Sequence, residues 1–490
     1  MKQQRLRFKV LALVLFGMFL LLSVYSGYSI ITYGNRWFSS RWNPRIRAQK
    51  ETVVPGDVLD QNGIVLATTL NGRRLYHADE ATRRSVVHLL GDTEGQVSNG
   101  VETFQASYLY GFQSSLWDMV TGLLAGQERK GDNIHLTIDS RLCSAIPTYF
   151  EAHEKTAGKN GAAVVMNYKT GEVLAIISLP NFDPLHIDAT VHNHPGHPFW
   201  NRATQSVYAP GSSFKVITTV AALDHIDDIQ NRSITCNGGL TVENHAIRDW
   251  GNEVHGSLSL KRAFTLSCNN AYALMALDMG DEALRTTAEA FGFNDNFLFR
   301  DLVVENSTYP TQNRNLFEVA WSGAGQSAIA ASPMHMCMEA AAIANDGVMM
   351  EPRLLSAVTT PSGSTKATLN SKAYCTATTP ANAAILQSLM RSVVTSGTGR
   401  QASQPDLTVC GKTGSAESSL EGQAVTHGWF IGFAKDEDCP YAMAVLVEAI
   451  NEGDGGGSTA AVIAGDIFRY LAAHQRKNSP IASPSDLQKP

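Results

Sequence analysis

The sequence predicts an α+β protein: an antiparallel sheet beside a mostly helical lobe, on a smaller β-rich pedestal, tethered by one N-terminal transmembrane helix. Three observations predict it. Strand-like runs at 161–166 and 173–178 precede a long helical stretch, then strands near 408, 429–434 and 441–447, and a last helix at 459–474. Between about 51 and 132, short β-like runs alternate with turns. Ahead of them, no charged residue occurs from 10 to 35.

That uncharged run follows Lys2, Arg5, Arg7 and Lys9. At 1.5 Å per helical residue it exceeds the roughly 30 Å of bilayer hydrocarbon. Tyr25, Tyr28, Tyr33 and Trp37 suit the far interface. No Ala-x-Ala cleavage site follows, so an uncleaved anchor is expected rather than a signal peptide. Arg36, Arg41, Arg45 and Arg47 flank the other side, so charge alone does not set the orientation. Residues 1–9 leave no room for a domain, which puts the bulk of the chain outside the cytoplasm, in the cell membrane as a single-pass protein.

Residues 36–132 read as a basic stalk followed by the pedestal. Within it, Val58-Leu59 and Gly63-Ile-Val-Leu-Ala67 bracket the turn Asp60-Gln-Asn-Gly63. The larger domain is expected at 133–476. It starts on the strand-like His135-Leu-Thr-Ile-Asp139, and the turn Tyr168-Lys-Thr-Gly171 makes a hairpin of its next two strands. Helices are expected at 212–224, 260–279, 334–345 and 381–394. The run Gly453-Asp-Gly-Gly-Gly-Ser458 gives the last helix a flexible entry, and the polar 477–490 reads as a disordered tail.

An apolar share of 44%, a charged share of 17% and a net charge of −6 describe an ordinary globular chain and exclude a basic nucleic-acid surface. Seven scattered cysteines without a Cys-x-x-Cys pair argue against a zinc ribbon or a redox motif, and most are expected in the core. His192, His194 and His197, with His186 nearby, have a spacing that could hold zinc. Pro195 and Gly196 mark that stretch as a solvated loop, so no metal and no cofactor is expected.

Chemistry concentrates in three stretches. In Pro210-Gly-Ser-Ser-Phe-Lys215, Ser212 and Lys215 share one face if a helix starts there. A serine needs a base within hydrogen-bond reach, and a desolvated lysine can be that base. The helix start also aims N–H groups at an oxyanion. Ser-x-x-Lys alone recurs about once by chance in such a chain. Ser267-Cys-Asn269 can bring a second hydroxyl and an orienting amide, although Ser and Asn also serve as ordinary caps. In Lys412-Thr-Gly-Ser415, the ammonium and Thr413 can hold a substrate carboxylate, Gly414 allows close backbone approach, and the Ser415 N–H can be an oxyanion donor. The plainer reading of this stretch is an edge-strand lysine at a turn.

Together and in this order, the three motifs resemble those of penicillin-binding proteins and related β-lactamases. Residues 131–468 resemble class B penicillin-binding proteins, and the whole chain is similar to the short mycobacterial- and actinobacterial-style members. Gly131-Asp-Asn-Ile-His-Leu-Thr-Ile-Asp139, Asn201-Arg-Ala203, Gly325-Gln326, Ser332-Pro333, Asn345-Asp-Gly347, Gly397-Thr-Gly399 and His427-Gly-Trp-Phe-Ile-Gly432 carry the likeness further. The resemblance implies a D,D-transpeptidase that cross-links peptidoglycan stem peptides through an acyl-serine and is acylated by β-lactam antibiotics. Ser212 would be the nucleophile, Lys215 its base, Ser267 the proton shuttle and Asn269 the orienting amide. Lys412, Thr413, Gly414 and Ser415 would bind the substrate carboxylate and complete the oxyanion hole. A polytopic glycan polymerase in the membrane is the implied partner. The pedestal stretch Pro55-Gly-Asp-Val-Leu-Asp-Gln-Asn-Gly63 lacks both arginines of larger relatives, and Ser415 stands where Thr is commoner. A hydrolytic D,D-carboxypeptidase or β-lactamase, and a non-catalytic scaffold or β-lactam sensor, remain alternatives.

Overall fold

The structure, a computed structural model, describes residues 2–38, 52–97, 99–113, 128–312, 314–420 and 422–478. Most of the expected stalk, and all but the first two residues of the expected tail, lie outside these residues.

The N-terminal helix runs Lys2–Phe38, and its segment Leu6–Ser29 is long and apolar enough to cross a membrane. Leu13, Phe16, Phe19 and Leu21 are exposed along it, as lipid-facing side chains would be.

The main sheet has five antiparallel strands in the order Val409–Leu420, Gln423–Ala434, Tyr441–Ile450, Gly161–Asn167, Val173–Leu179. The expected hairpin therefore exists, and it forms one edge. Val173–Leu179 is buried at every position. A strand apolar on both faces needs cover on both, and the sheet has it. Helix Pro333–Ala344, all twelve residues buried, packs on the middle strands. Ser140–Glu151 and Ala460–Asn478 pack on each other and on the sheet as well. The last helix thus continues to 478, four residues beyond the expected end. The opposite edge of the sheet is Val409–Leu420, which faces the helical lobe.

A second sheet has six strands: Thr365–Thr368, Leu355–Thr359, Asn133–Leu136, Val58–Leu59, Val65–Leu70 and Arg73–Tyr76. Strands from both sides of residue 133 thus share one hydrogen-bonded layer. The turn after Val58–Leu59 is held by Asp60, whose Oδ1 accepts from the N–H of Asn62 and of Ile64 and whose Oδ2 accepts from Ser140 Oγ at 2.6 Å. Gly56 is needed where the chain crosses this junction: a Cβ there would lie 2.0 Å from the Asp132 carbonyl oxygen.

The histidine loop has its own protein partners. His186 Nδ1 lies 2.9 Å from Asp183 Oδ2, His194 Nδ1 accepts from the Gly196 N–H, and His192 faces Glu94 and the Phe199 ring. Six of the seven cysteines are buried and Cys375 is half-buried.

Candidate active site

The Pro210–Lys215 stretch does not begin as the α-helix the spacing suggests. Gly211–Phe214 is a 3₁₀ turn, and the α-helix is Lys215–His225. Side chains three apart eclipse in a 3₁₀ turn, so Ser212 and Lys215 still share one face. Gly211 has φ +54°, and a Cβ on it would lie 2.7 Å from the Ser415 carbonyl oxygen. The Gly211 N–H donates to the Gly325 carbonyl at 2.9 Å, which gives Gly325-Gln326 its place beside the turn. Ser212 lines the cleft, and among the described residues its hydroxyl makes no hydrogen bond.

The expected continuous helix over 260–279 is broken. It ends at Leu266, Ser267 takes a left-handed conformation (φ 59°), and a new helix runs Asn269–Met279. The cause lies about twenty residues upstream. The Asp249 carboxylate accepts from the N–H of Asn269, from Asn270 Nδ2 at 2.8 Å, and from the thiols of Cys236 at 3.0 Å and Cys268 at 3.2 Å. Burial works against its charge, but these donors hold the carboxyl below its ordinary range. An anion at a helix start also suits the backbone dipoles there.

The Lys-Thr-Gly motif lies on the edge strand Val409–Leu420. A Cβ at Gly414 would lie 2.8 Å from the Pro210 carbonyl oxygen, so this strand passes against the Gly211–Phe214 turn as closely as a backbone can. Thr413 Oγ1 lies 2.5 Å from Thr398 Oγ1, and Ser415 Oγ accepts from the Gly456 N–H at 3.3 Å. Thr398 and the 453–458 glycine run therefore support the strand from the cleft side.

These pieces close one open cleft of about 720 Å³, lined by Ser212, Ser267, Asn269, Thr413, Gly414 and Ser415 among others. Trp250 and Trp321 add aromatic walls. Lys215 and Lys412 lie beneath the lining, each 0% exposed. Lys215 Nζ donates to the Ser267 carbonyl at 2.6 Å and to Asn269 Oδ1 at 2.7 Å, and stands 3.3 Å from Ser267 Oγ. Lys412 Nζ donates to Ser267 Oγ at 2.9 Å and to the Thr413 carbonyl at 2.9 Å. Burial pushes Lys215 down to about 7, with Cys268 and Asp249 pulling the other way. Burial also drives Lys412 well below its usual value, and the charge of Lys215 adds to that. Two buried amines thus converge on one hydroxyl at the cleft wall, where a neutral amine can accept a proton and an ammonium can return it.

The structure brings together every residue singled out in the three motifs. It also adds residues that the motifs did not contain: Asp249, Thr398 and Gly456. Nothing local to Asp249 marks it, but Gly397-Thr-Gly399 and the glycine run were visible as motifs. One further group lies behind the Ser-x-Asn turn. The donor atoms of Cys236, Asp249, His255 and Cys268 lie within 4.8 Å of one another and could hold a tetrahedral cation. Their own hydrogen bonds also satisfy them: Cys236 Sγ lies 3.6 Å from His255 Nδ1, beside the thiol bonds to Asp249.

Residues 161–469 match the family model of the penicillin binding protein transpeptidase domain. The chain is 30% identical over 408 residues to peptidoglycan D,D-transpeptidase PbpA of Mycolicibacterium smegmatis, covering 79% of this chain and 81% of that protein. It is 28% identical to peptidoglycan D,D-transpeptidase MrdA of Acinetobacter baumannii, covering 77% of this chain and 61% of that protein. Among solved structures, penicillin-binding protein A of M. tuberculosis as a ceftriaxone acyl-enzyme superposes with a TM-score of 0.78 at 26% identity, covering 86% of this chain and 99% of that one.

Proposed function

We propose, from the premise that this chain belongs to the penicillin-binding-protein transpeptidase family, a peptidoglycan D,D-transpeptidase whose acyl-serine is Ser212. The observation that carries the assignment of roles is the shared hydroxyl of Ser267, within hydrogen-bond reach of two buried lysines beneath the cleft that Ser212 lines.

In this reading, Ser212 Oγ attacks the carbonyl between the two D-alanines of a stem peptide while neutral Lys215 takes its proton. Catalytic hydrogen bonds commonly tighten only when substrate arrives, which suits a Ser212 hydroxyl not yet bonded. The backbone N–H groups of Ser212 and Ser415 hold the oxyanion, an interaction whose loss costs about 3–4 kcal/mol in comparable sites. Ser267 passes a proton to the departing D-alanine amine, supplied from the lysine pair. Asn269 orients the lysine and the substrate, Thr413 and Gly414 on the cleft lining place the terminal carboxylate, and Lys412 acts from beneath through its bond to Ser267. The amine of a second stem then attacks the acyl-serine, forming the cross-link and freeing Ser212. A β-lactam opens on Ser212 in the same way and leaves no amine to depart.

The Leu6–Ser29 helix would anchor the protein in the cell membrane, with residues 1–9 in the cytoplasm and the catalytic domain outside. A polytopic glycan polymerase beside that helix is the partner this arrangement suits. The domain limits 36–132 and 133–476 are kept as a functional division into pedestal and transpeptidase domain.

Labelling with a fluorescent penicillin tests the reading. Wild type should form a stable adduct and Ser212→Ala none; equal labelling would remove Ser212 as nucleophile. Release of the penicilloyl group within seconds would favour the hydrolytic alternative.

A further inference from the structure

Away from the cleft, a second cavity of about 830 Å³ opens between the pedestal and the segment that leads to Ser212. Its size falls within the roughly 300–1,000 Å³ of small-molecule sites. Trp200 forms one wall and is 53% exposed, much for the largest apolar side chain, yet it is held in place: its Nε1 donates to Ser206 Oγ at 2.6 Å. Phe199 stands beside it, braced edge-on by Phe182 with centroids 4.9 Å apart. Gln205 and Glu305 supply polar atoms at the rim.

The floor is built from buried charge. Arg202, 6% exposed, donates from Nε to Glu448 Oε1 at 3.0 Å and from Nη2 to the Gly196 carbonyl at 2.7 Å. Its Nη1 is buried without a partner among the described residues. Such an orphan donor costs free energy, so the floor holds a charge that its own partners do not fully satisfy.

The lining selects among ligands. The lining carries one arginine, already paired with Glu448, a second carboxylate, Glu305, and the imidazoles of His192 and His197, with no cluster of fixed positive charge, so a polyanion is disfavoured. Fixed aromatic faces ringed by amide and carboxylate groups suit a ligand with apolar C–H faces and hydroxyl edges, as a pyranose has. We infer that this cavity is a saccharide site that holds the glycan strand of peptidoglycan while the stem peptide occupies the catalytic cleft. This rests on the transpeptidase reading. The link to the cleft is short: Glu448 Oε1 also accepts from Tyr208 OH at 2.6 Å, four residues before Ser212.

The test uses detergent-solubilised full-length protein and glycan strands of alternating N-acetylglucosamine and N-acetylmuramic acid, peptide-free and with each lactyl carboxyl capped as the amide it forms in an intact stem, with binding followed by saturation-transfer NMR. Binding by wild type that Trp200→Ala weakens about tenfold or more supports the site. Gln205→Ala, a change at the rim, should weaken it in the same direction and is decisive if Trp200→Ala fails to fold. Absence of binding to wild type, or equal binding by wild type and both folded variants, overturns it. Fluorescent-penicillin labelling of wild type reports on Ser212 separately, so failure of the saccharide site and failure of the transpeptidase reading are told apart.

Discussion

Lys412 reaches from the edge strand to place its Nζ 2.9 Å from the hydroxyl of Ser267, on a turn 145 residues earlier in the chain. That oxygen is also 3.3 Å from Lys215 Nζ, so among the described residues it is the one group that links the two amines. Ser267→Ala removes the link and leaves both lysines in place. Acylation by penicillin should slow by about 10²-fold, the low end of general acid–base contributions, with initial binding little changed. Stopped-flow acylation kinetics separate the two quantities, and a wild-type rate would take Ser267 out of the proton path.

A base with its pKa pushed down to about 7 has a clear pH signature. Acylation should fall about tenfold per pH unit below that value and level off above it, as the protonated lysine can accept nothing. Because the two lysines interact, the measured midpoint belongs to the pair. Stability carries a linked signature. Between about 7 and the usual lysine value of 10.5, the unfolded chain binds a proton that folded Lys215 does not. Stability should therefore rise with pH through that window. Lys215→Met should flatten the rise by up to about 1.4 kcal/mol per pH unit, read from thermal unfolding at several pH values.

The proposed catalytic set is legible because its members are chemically unusual in combination, and geometry then only has to bring them together. What was hidden has a common cause: each feature depends on a partner far along the chain. Residues 260–266 and 271–279 carry mostly good helix formers, and the cap-forming Ser267-Cys-Asn-Asn270 between them permits a break; Asp249, far upstream, adds the acceptor for the second helix start that no local residue marks. The 3₁₀ turn at Ser212 reflects the strand crowding Gly211, which no local propensity encodes. Strand Leu355–Thr359 joins the pedestal sheet by pairing with Asn133–Leu136, a register set across more than two hundred residues. The side chains behind Cys268 follow no short metal motif, so only the fold reveals that they meet.

Gly456 is where the glycine run bears directly on the site. A Cβ there would lie 2.2 Å from the Trp429 carbonyl oxygen and 2.3 Å from that of Gly414. Both are backbone atoms of the sheet, so neither can turn aside. Gly456→Ala should push the loop off the strand, weaken the Gly456 N–H bond to Ser415, and cost about 1–3 kcal/mol, as overpacking does. Acylation should slow with it. Gly363→Ala is the control. It has φ +91° but open space around it in an exposed turn, so it should lose about 1–2 kcal/mol and keep its acylation rate. Thermal unfolding beside penicillin labelling distinguishes a local effect on the site from a general loss of stability.

Glu339 lies on the fully buried helix Pro333–Ala344, and among the described residues neither of its carboxyl oxygens has a hydrogen-bond partner. Burial raises its pKa well above the ordinary 4.5, so it is protonated in the folded protein under conditions where the unfolded chain has lost that proton. Its contribution to stability is therefore full below about 4.5 and diminishes as pH rises through the folded value, opposite in sign to that of Lys215. Glu339→Met keeps the volume and removes the unsatisfied oxygens, so it should stabilise the fold at neutral pH by about 1–3 kcal/mol. The gain should grow with pH, because wild type loses stability there and the variant does not. Thermal unfolding of both proteins at rising pH checks this. A destabilised variant would mean that the carboxyl makes an interaction in solution worth more than its burial costs.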